Sequence, residues 1–289
     1  MTIQTLLFPT DFSDCAEGAF SHAAFLAERF GATLHVLHVQ EDPEADEPNW
    51  AEALTISTDD IYRDLRIPAE EQDPSFGLID LKEHEAAARD VAASILHHAA
   101  TLGADLIVMG THGRTGVKRV ALGSVAEAVT RHAPCPVLTV RPAAEGDESA
   151  LRRVMVAVED TGADLPHVAW ASRLAHAYGS RLDLVRVVPP SLLHPGETAA
   201  HARGHRDLRL LEERLESDGL TVSSRVVDGE PAEALLATAA HLKPDLLVVG
   251  THGRTGVRRV VLGSVAERVL REASCPVLVA RKTTASVSA

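Results

Sequence analysis

Residues Asp105–Arg141 read DLIVMGTHGRTGVKRVALGSVAEAVTRHAPCPVLTVR, and residues Asp245–Arg281 read DLLVVGTHGRTGVRRVVLGSVAERVLREASCPVLVAR. The two 37-residue windows agree at 27 positions with a constant offset of 140. Such agreement marks an internal duplication, and its period is that of a domain rather than of a short solenoid unit. Within each copy a continuous apolar run leads into Gly-Thr-His-Gly, as expected of a strand buried on both faces. The first copy then offers a helix from Ser124 to His132, with a serine near its start, and a last strand over Pro136–Val140.

Working outward, TLLFPTDFSD from Thr5 aligns with RVMVAVEDTG from Arg153, and GATLHVLHVQ from Gly31 with GSRLDLVRVV from Gly179, both at an offset of 148. The first copy therefore holds about eight more residues, placed between Glu41 and Gly77 in a stretch rich in Asp, Glu and Pro. Thr5–Phe8 reads as a strand. Ala16–Phe30 carries apolar residues at helical spacing and is capped by Gly31. Thr33–Val39 is the next strand, and Glu85–Thr101 is expected to be a helix closed by Gly103. In the second copy Thr221–Val227 is a strand, DGEP a turn and Ala232–Leu242 a helix. Alternation of this kind predicts an α/β fold with a parallel sheet and helices on both faces. The expected division is a domain over 1–141, a polar linker over 142–150 and a second domain over 151–282.

Composition narrows the function. The chain has 289 residues, 45% hydrophobic and 24% charged, and a net charge of −13. That acidity opposes general binding to nucleic acid or an anionic membrane. No apolar stretch is long enough to span a bilayer, and the N-terminus lacks the basic and apolar regions of a signal peptide. The expected compartment is the cytoplasm. The three cysteines, Cys15, Cys135 and Cys275, stand singly, which suits a reducing compartment. Among fifteen histidines, His201 and His205 share a helical spacing downstream of His194. No cysteine accompanies them, so they read as surface residues rather than a zinc site, and no metal site is expected. His97 and His98 are adjacent on one helix and point apart.

The chemistry-bearing pattern is Gly110-Thr-His112-Gly113, nine residues, then Gly123-Ser124, repeated as Gly250, His252, Gly253, Gly263 and Ser264. It falls after a buried strand and before a helix. In an open parallel sheet ligands bind at the carboxyl ends of strands. There glycine lets backbone N–H groups approach a phosphate, and the helix start favours an anion. Arg114, Lys118 and Arg119, with Arg254, Arg258 and Arg259, supply local positive charge suited to phosphate oxygens or to nearby glutamates. The pattern is neither a Walker A loop nor a GxGxxG fingerprint.

Gly-2x-Gly-9x-Gly-Ser after DLIVMG, together with the PTDFSD opening, the VxHV second strand and the CPVL ending, resembles the universal stress protein family over essentially both halves. The resemblance implies Rossmann-like domains of five strands each, related to adenine nucleotide alpha hydrolases, and likeness to the ATP-binding subgroup. It implies ATP, ADP or AMP as ligand, with or without Mg²⁺. Carried over by position, Asp11, preceded by Pro9 and Thr10, faces adenine and ribose, and Val39 contacts adenine through its backbone. Met109, Gly110, His112 and Gly113 form the first phosphate loop, and Gly123, Ser124 and Val125 the second. Val187, Val249, Gly250, His252, Gly253, Gly263, Ser264 and Val265 hold the same places in the second copy. There Glu159, followed by Asp160, replaces Asp11, and Ala157 replaces Pro9, so the first nucleoside pocket is the better formed of the two. His112 and His252 are expected to shape the loop rather than to act as bases.

The leading function is that of a nucleotide-binding regulatory protein of the stress response, acting on an unidentified protein partner and without catalytic residues. The alternatives are a slow Mg-dependent ATPase or self-phosphorylating enzyme using a loop serine, and an interaction module holding another ligand. The family's dimers imply an intramolecular pseudo-dimer, its contact made through Pro136–Val140 and Pro276–Ala280, with a homodimer as a further step.

Overall fold

The computed structural model describes residues 2–45, 49–50, 54–55, 61–63, 79–111, 122–141, 150–159, 165–189, 197–251 and 262–281. Two compact units divide between Ser149 and Ala150.

Unit one runs β1 (Thr5–Thr10), α1 (Asp14–Phe30), β2 (Thr33–Glu41), β3 (Asn49–Trp50), β4 (Leu54–Thr55), β5 (Leu81–Ala88), α2 (Val91–Thr101), β6 (Leu106–Gly110), α3 (Ser124–His132) and β7 (Val137–Val140). Five strands are parallel in the order β7-β6-β1-β2-β5. The short β3 and β4 pair antiparallel with the outer edge of β5. Unit two runs β8 (Arg153–Ala157), α4 (Pro166–Tyr178), β9 (Arg181–Val188), α5 (Glu197–Ser217), β10 (Val222–Asp228), α6 (Pro231–Leu242), β11 (Leu246–Gly250), α7 (Ser264–Glu272) and β12 (Val277–Ala280). Its parallel order is β10-β9-β8-β11-β12, the same topology without additions.

Side chains alternate across each strand, and this alternation assigns the layers. Phe8 on β1 stacks against Phe20 of α1 at 5.7 Å between ring centroids, whereas its neighbour Pro9 points to the side of α2. The buried runs Leu6–Phe8, Leu106–Val108 and Leu246–Val248 are inaccessible to solvent, as strands covered on both faces must be. Gly31 and Gly179 end α1 and α4 with φ of 62° and 67°. This left-handed conformation is the glycine C-cap expected from the sequence.

One expectation is corrected. The stretch from Glu85 is not helical throughout. Residues Leu81–Ala88 form β5, paired with β2 from Leu34↔Leu81 to Glu41↔Ala88, and the helix begins only at Val91. Glu-Ala-Ala-Ala favours a helix, but that propensity is small per residue and yields to tertiary context. Here His84, Ala86 and Ala88 are buried at alternate positions while Glu85 is exposed. Asp90 marks the true helix start, its side chain accepting from the Ala93 N–H at 3.0 Å.

The first and fourth parallel strands of each unit are fixed to each other by a carboxylate. Asp105 Oδ2 accepts from the backbone N–H of Gln4 and Thr5 at 2.8 and 3.2 Å. Asp245 Oδ2 does the same for Arg152 and Arg153 at 2.9 and 2.8 Å. In each case the aspartate's own N–H returns a bond to the first strand, Asp105 to the Thr5 carbonyl and Asp245 to the Arg153 carbonyl. Hydrogen bonds to a charged acceptor exceed neutral ones. Asp105→Ala is expected to lower the stability of unit one, and Asp245→Ala that of unit two, each by roughly 1–3 kcal/mol. Urea unfolding followed separately in the two units checks this, and a change below about 0.5 kcal/mol in both would refute the clamp.

Candidate functional site

Strand order reverses between β1 and β6. A cavity of about 230 Å³ opens there at the carboxyl ends of the strands. Pro9, Thr10 and Asp11 enter it from the end of β1, Leu37 and Val39 from β2, and Met109, Gly110 and Thr111 from β6. Val91 and Ile95 of α2 and Ala16 of α1 add apolar wall, and the first turn of α3 faces in through Gly123, Ser124, Val125 and Ala126.

The end of β1 is held by its own side chains. Thr10 Oγ1 accepts from the Phe12 N–H at 3.0 Å, and Asp11 Oδ1 from the Ser13 N–H at 3.2 Å. His38 Nδ1 donates to the Thr10 carbonyl at 2.9 Å. Phe12 adopts φ 57°, a left-handed conformation uncommon for a residue with a side chain, and its ring lies 4.9 Å from that of His38. Two side-chain turns and a ring contact thus oppose the strain and leave Asp11 at the mouth of the cavity.

The start of α3 follows the expected polarity with one revision. Gly123 is the N-cap, and the first helical rung is Glu127 N–H to Gly123 carbonyl at 2.9 Å. The Gly123 N–H itself is spent on the Thr111 carbonyl at 2.8 Å. The donors left outside the helical ladder are those of Ser124, Val125 and Ala126, and all three residues line the cavity. The helix start, rather than Gly123, therefore presents the unused N–H donors to the cavity. Gly110 is revised as well. A Cβ there would stand 2.9 Å from the Cys15 carbonyl oxygen, so its glycine is demanded by the approach of α1. Its absent side chain is filled by protein rather than left open for a ligand.

Of the residues expected in the first site, Pro9, Thr10, Asp11, Val39, Met109, Gly110, Gly123, Ser124 and Val125 are brought to one cavity. His112, Gly113 and Arg114 lie outside the described residues, as do His252, Gly253 and Arg254. Sequence reasoning missed Ala16, Leu37, Val91, Ile95, Thr111 and Ala126. Two signals could have found three of them. Leu37 shares a strand face with Val39, and Val91 and Ile95 are one turn apart on a helix that follows a strand's crossover.

In unit two Val187, Val249, Gly250, Gly263, Ser264 and Val265 stand at the same points of the topology. The Gly263 N–H bonds the Thr251 carbonyl at 2.9 Å. A Cβ on Gly263 would come within 3.0 Å of that oxygen. Two features differ. Glu159, at the position of Asp11, is exposed. The neighbour of Gly250 is a side chain, His167, whose Nδ1 would be 3.0 Å from a Cβ there. Burial pulls the His167 imidazole down to about 4, and its Nε2 has no hydrogen-bond partner among the described residues.

The sequence profile described as the Universal stress protein family matches residues 2–141 and again 150–281. A universal stress protein of Methanocaldococcus jannaschii is 29% identical over 144 residues, 47% of this chain and 85% of that protein. One from Mycobacterium bovis is 31% identical over 62% of this chain and 63% of its own length, so this chain spans under two thirds of that relative. One from Synechocystis is 24% identical over 96% of this chain and its own full length. Among solved structures, a universal stress protein from Archaeoglobus fulgidus superposes with a TM-score of 0.65 at 23% identity, covering 97% of this chain and 99% of the other. A protein of Pseudomonas aeruginosa gives 0.67 at 21%, covering 97% and 93%. At such identity these structures speak for the fold.

The two strand-end glycines differ in what they touch, and their alanine variants separate accordingly. Gly110→Ala meets backbone at 2.9 Å, whereas Gly250→Ala meets an imidazole that can turn aside. Overpacking against backbone costs about 1–3 kcal/mol. Chemical denaturation is expected to show that loss in unit one and under about 1 kcal/mol in unit two. Equal losses would contradict the assignment.

Proposed function

The chain belongs to the universal stress protein family, and from that premise we propose that it is an adenine-nucleotide-binding regulatory protein of the stress response, with its principal site in unit one. The observation that carries the reading is the cavity between β1 and β6, apolar at one end and facing a helix start at the other. An adenine base fits between Leu37, Val39, Val91, Ile95 and Met109, where burial of its faces is favourable. Asp11 is placed to accept from ribose hydroxyls. The phosphates meet the N–H groups of Ser124, Val125 and Ala126 and the positive end of α3.

With ATP, a Mg²⁺ ion would take most of its ligands from phosphate oxygens and water, since Asp11 is the one carboxylate of the described cavity wall. Among the described residues the cavity wall holds no histidine, cysteine or lysine, and binding without measurable turnover is the expected behaviour of a regulatory site. Unit two offers the same helix start at Ser264. Its exposed Glu159 and the His167 imidazole beside Gly250 make it the weaker site.

Ser124→Asp tests the reading with little risk to the fold, because a carboxylate in the first turn favours a helix while repelling a phosphate. Calorimetry with ATP and with AMP is expected to show at least about a tenfold loss of affinity at the stronger site, with AMP less affected. Ser264→Asp should leave the stronger site unchanged. Unaltered affinity in Ser124→Asp, with its circular dichroism and melting temperature intact, would place the phosphates elsewhere.

A further inference from the structure

Behind the cavity of unit one lie three histidines from three elements: His35 on β2, His84 on β5 and His98 on α2. They are 9%, 8% and 2% exposed. His35 Nδ1 is 2.8 Å from His84 Nε2, and the two rings stack at 5.1 Å between centroids. The ring of His98 meets that of His84 edge-on at 6.1 Å, and His98 Nδ1 donates to the Ser94 carbonyl at 2.8 Å. We propose that this cluster is an acid sensor that opens the wall of the nucleotide cavity in unit one, a device that unit two lacks. The link to nucleotide rests on the function proposed above; the opening itself does not.

The geometry supplies the mechanism. An N–H···N bond between two imidazoles requires one of them to be a neutral acceptor, so the pair accepts at most one proton while the bond holds. A second proton leaves two cations in contact, walled off from water. Burial is the main force pulling the His35 imidazole from 6.5 down to about 4, followed by repulsion from His84 and Lys82, with Asp80 opposing. Burial also lowers His84, with His98 and Lys82 adding to the effect. For His98 burial again leads, opposed by its bond to Ser94 and reinforced by His97. From β1 the residue in register with His35 is the apolar Leu7. From β4 the residue in register with Lys82 is Thr55, which is also uncharged. Among the described residues Asp80 is the one acid that raises His35, and its carboxylate is already engaged by the Thr33 hydroxyl at 2.8 Å.

The lever is direct. The helix that carries His98 also carries Val91 and Ile95, and the strand that carries His35 also carries Leu37 and Val39, all four in the cavity wall. A proton taken up more readily when α2 lifts from β2 and β5 therefore draws the wall outward.

Unit two serves as the internal comparison. In the β9–β10 ladder the places of His35 and His84 fall to Asp183 and Arg225, and that of His98 to Thr238. Thr238 Oγ1 donates to the Ala234 carbonyl at 2.7 Å, repeating the four-residue reach of His98. Asp183 is fully buried but is met by Arg153 Nε and Ser223 Oγ, each at 2.7 Å, with Arg181 and Arg225 at 3.6 Å. Burial pushes its carboxyl upward, but these bonds and charges outweigh it and hold the carboxyl below the ordinary range.

The two share a sign but act in different pH windows. A histidine whose folded value is depressed gives stability that is complete above pH 6.5 and lost as pH falls toward 4, because the open state takes the proton first. A depressed aspartate keeps its contribution until pH falls below the ordinary carboxylate range. Between pH 6.5 and 4 the α2 wall of unit one loosens and the matching α6 of unit two does not, since the acid response that unit two owes to its buried His167 is seated on α4.

Hydrogen exchange of the full-length protein, without ligand and corrected for the intrinsic pH dependence, reads this directly. Protection in α2 should fall by about 30-fold between pH 8 and pH 5 from His35 alone, while that in α6 holds. His35→Gln, which can bond His84 but does not titrate, should abolish most of the loss; a His35→Leu, His84→Leu double variant gives the same reading without a polar group. Unchanged protection in α2 of the parent protein, or a full acid response in a folded variant, overturns the sensor. Calorimetry with AMP at the two pH values completes the test. Weaker binding at pH 5 in the parent but not in the variant supports the coupling. No binding at either pH, with acid opening intact, overturns the proposed function and leaves the sensor standing.

Discussion

The arrangement depends on two parallel strands that lie side by side while the connections leaving them depart to opposite faces. β1 hands the chain to α1, and β6 leads on toward α3 on the opposite face. A crevice at that point is forced by the topology before any ligand is considered. What the sequence adds is the means of holding the pair in register. An aspartate at the foot of β6 takes two backbone N–H groups at the foot of β1, and the same aspartate-to-backbone pairing recurs at the foot of β11. With the feet clamped, the tops diverge at a fixed place. The strand end bearing Thr10 and Asp11 and the helix start at Ser124 come to face one cavity.

Close packing then decides which glycines are needed, and the answer differs from the one the motif suggests. The repeated Gly-Thr-His-Gly reads as a loop opened for phosphate. At Gly110 the space is taken by the Cys15 carbonyl, and the N–H of Gly123 is already bonded to Thr111. Both glycines serve the join between strand and helix. The helix start that this join produces is the group with unused donors. Gly110 and Gly123 thus line the cavity while the need for glycine at the first, and the use of the N–H at the second, are set by neighbouring protein.

The duplication, the alternation of strand and helix, and the site's position at the strand ends were legible because each rests on a pattern local in sequence. The windows at Asp105 and Asp245 repeat, apolar runs mark central strands, and Gly31 caps a helix where its φ requires glycine. β5 was not legible. Its residues Glu85–Ala88 favour a helix, and they are strand only because β2 lies on one side and β3 and β4 on the other. Those partners are distant in sequence, and the antiparallel pair comes from the acidic insert, whose composition announces no strand. The apolar wall from α2 escaped for the related reason that Val91 and Ile95 are ordinary helix residues until the sheet beneath them is known. The three-histidine cluster escaped because His35, His84 and His98 are far apart in the chain, and counting histidines says nothing about which of them meet.

The two units also show how far a shared frame constrains its interior. Strand order, the aspartate clamp and the glycine caps at Gly31, Gly179, Gly123 and Gly263 survive in both copies. The space between the second and third parallel strands and the helix above them is set only by volume and by the need to satisfy polar groups. Unit one fills it with imidazoles that remain neutral and bond one another. Unit two fills it with a buried carboxylate, whose desolvation is offset only because one guanidinium group and a serine hydroxyl meet it at 2.7 Å, with two further guanidinium groups at 3.6 Å. Both solutions close the core at neutral pH and both are weakened by protons, but in different ranges, because the imidazoles titrate above the range in which the paired carboxylate does. A duplicated domain can therefore keep its fold unchanged while its copies come to differ in the conditions under which each stays closed.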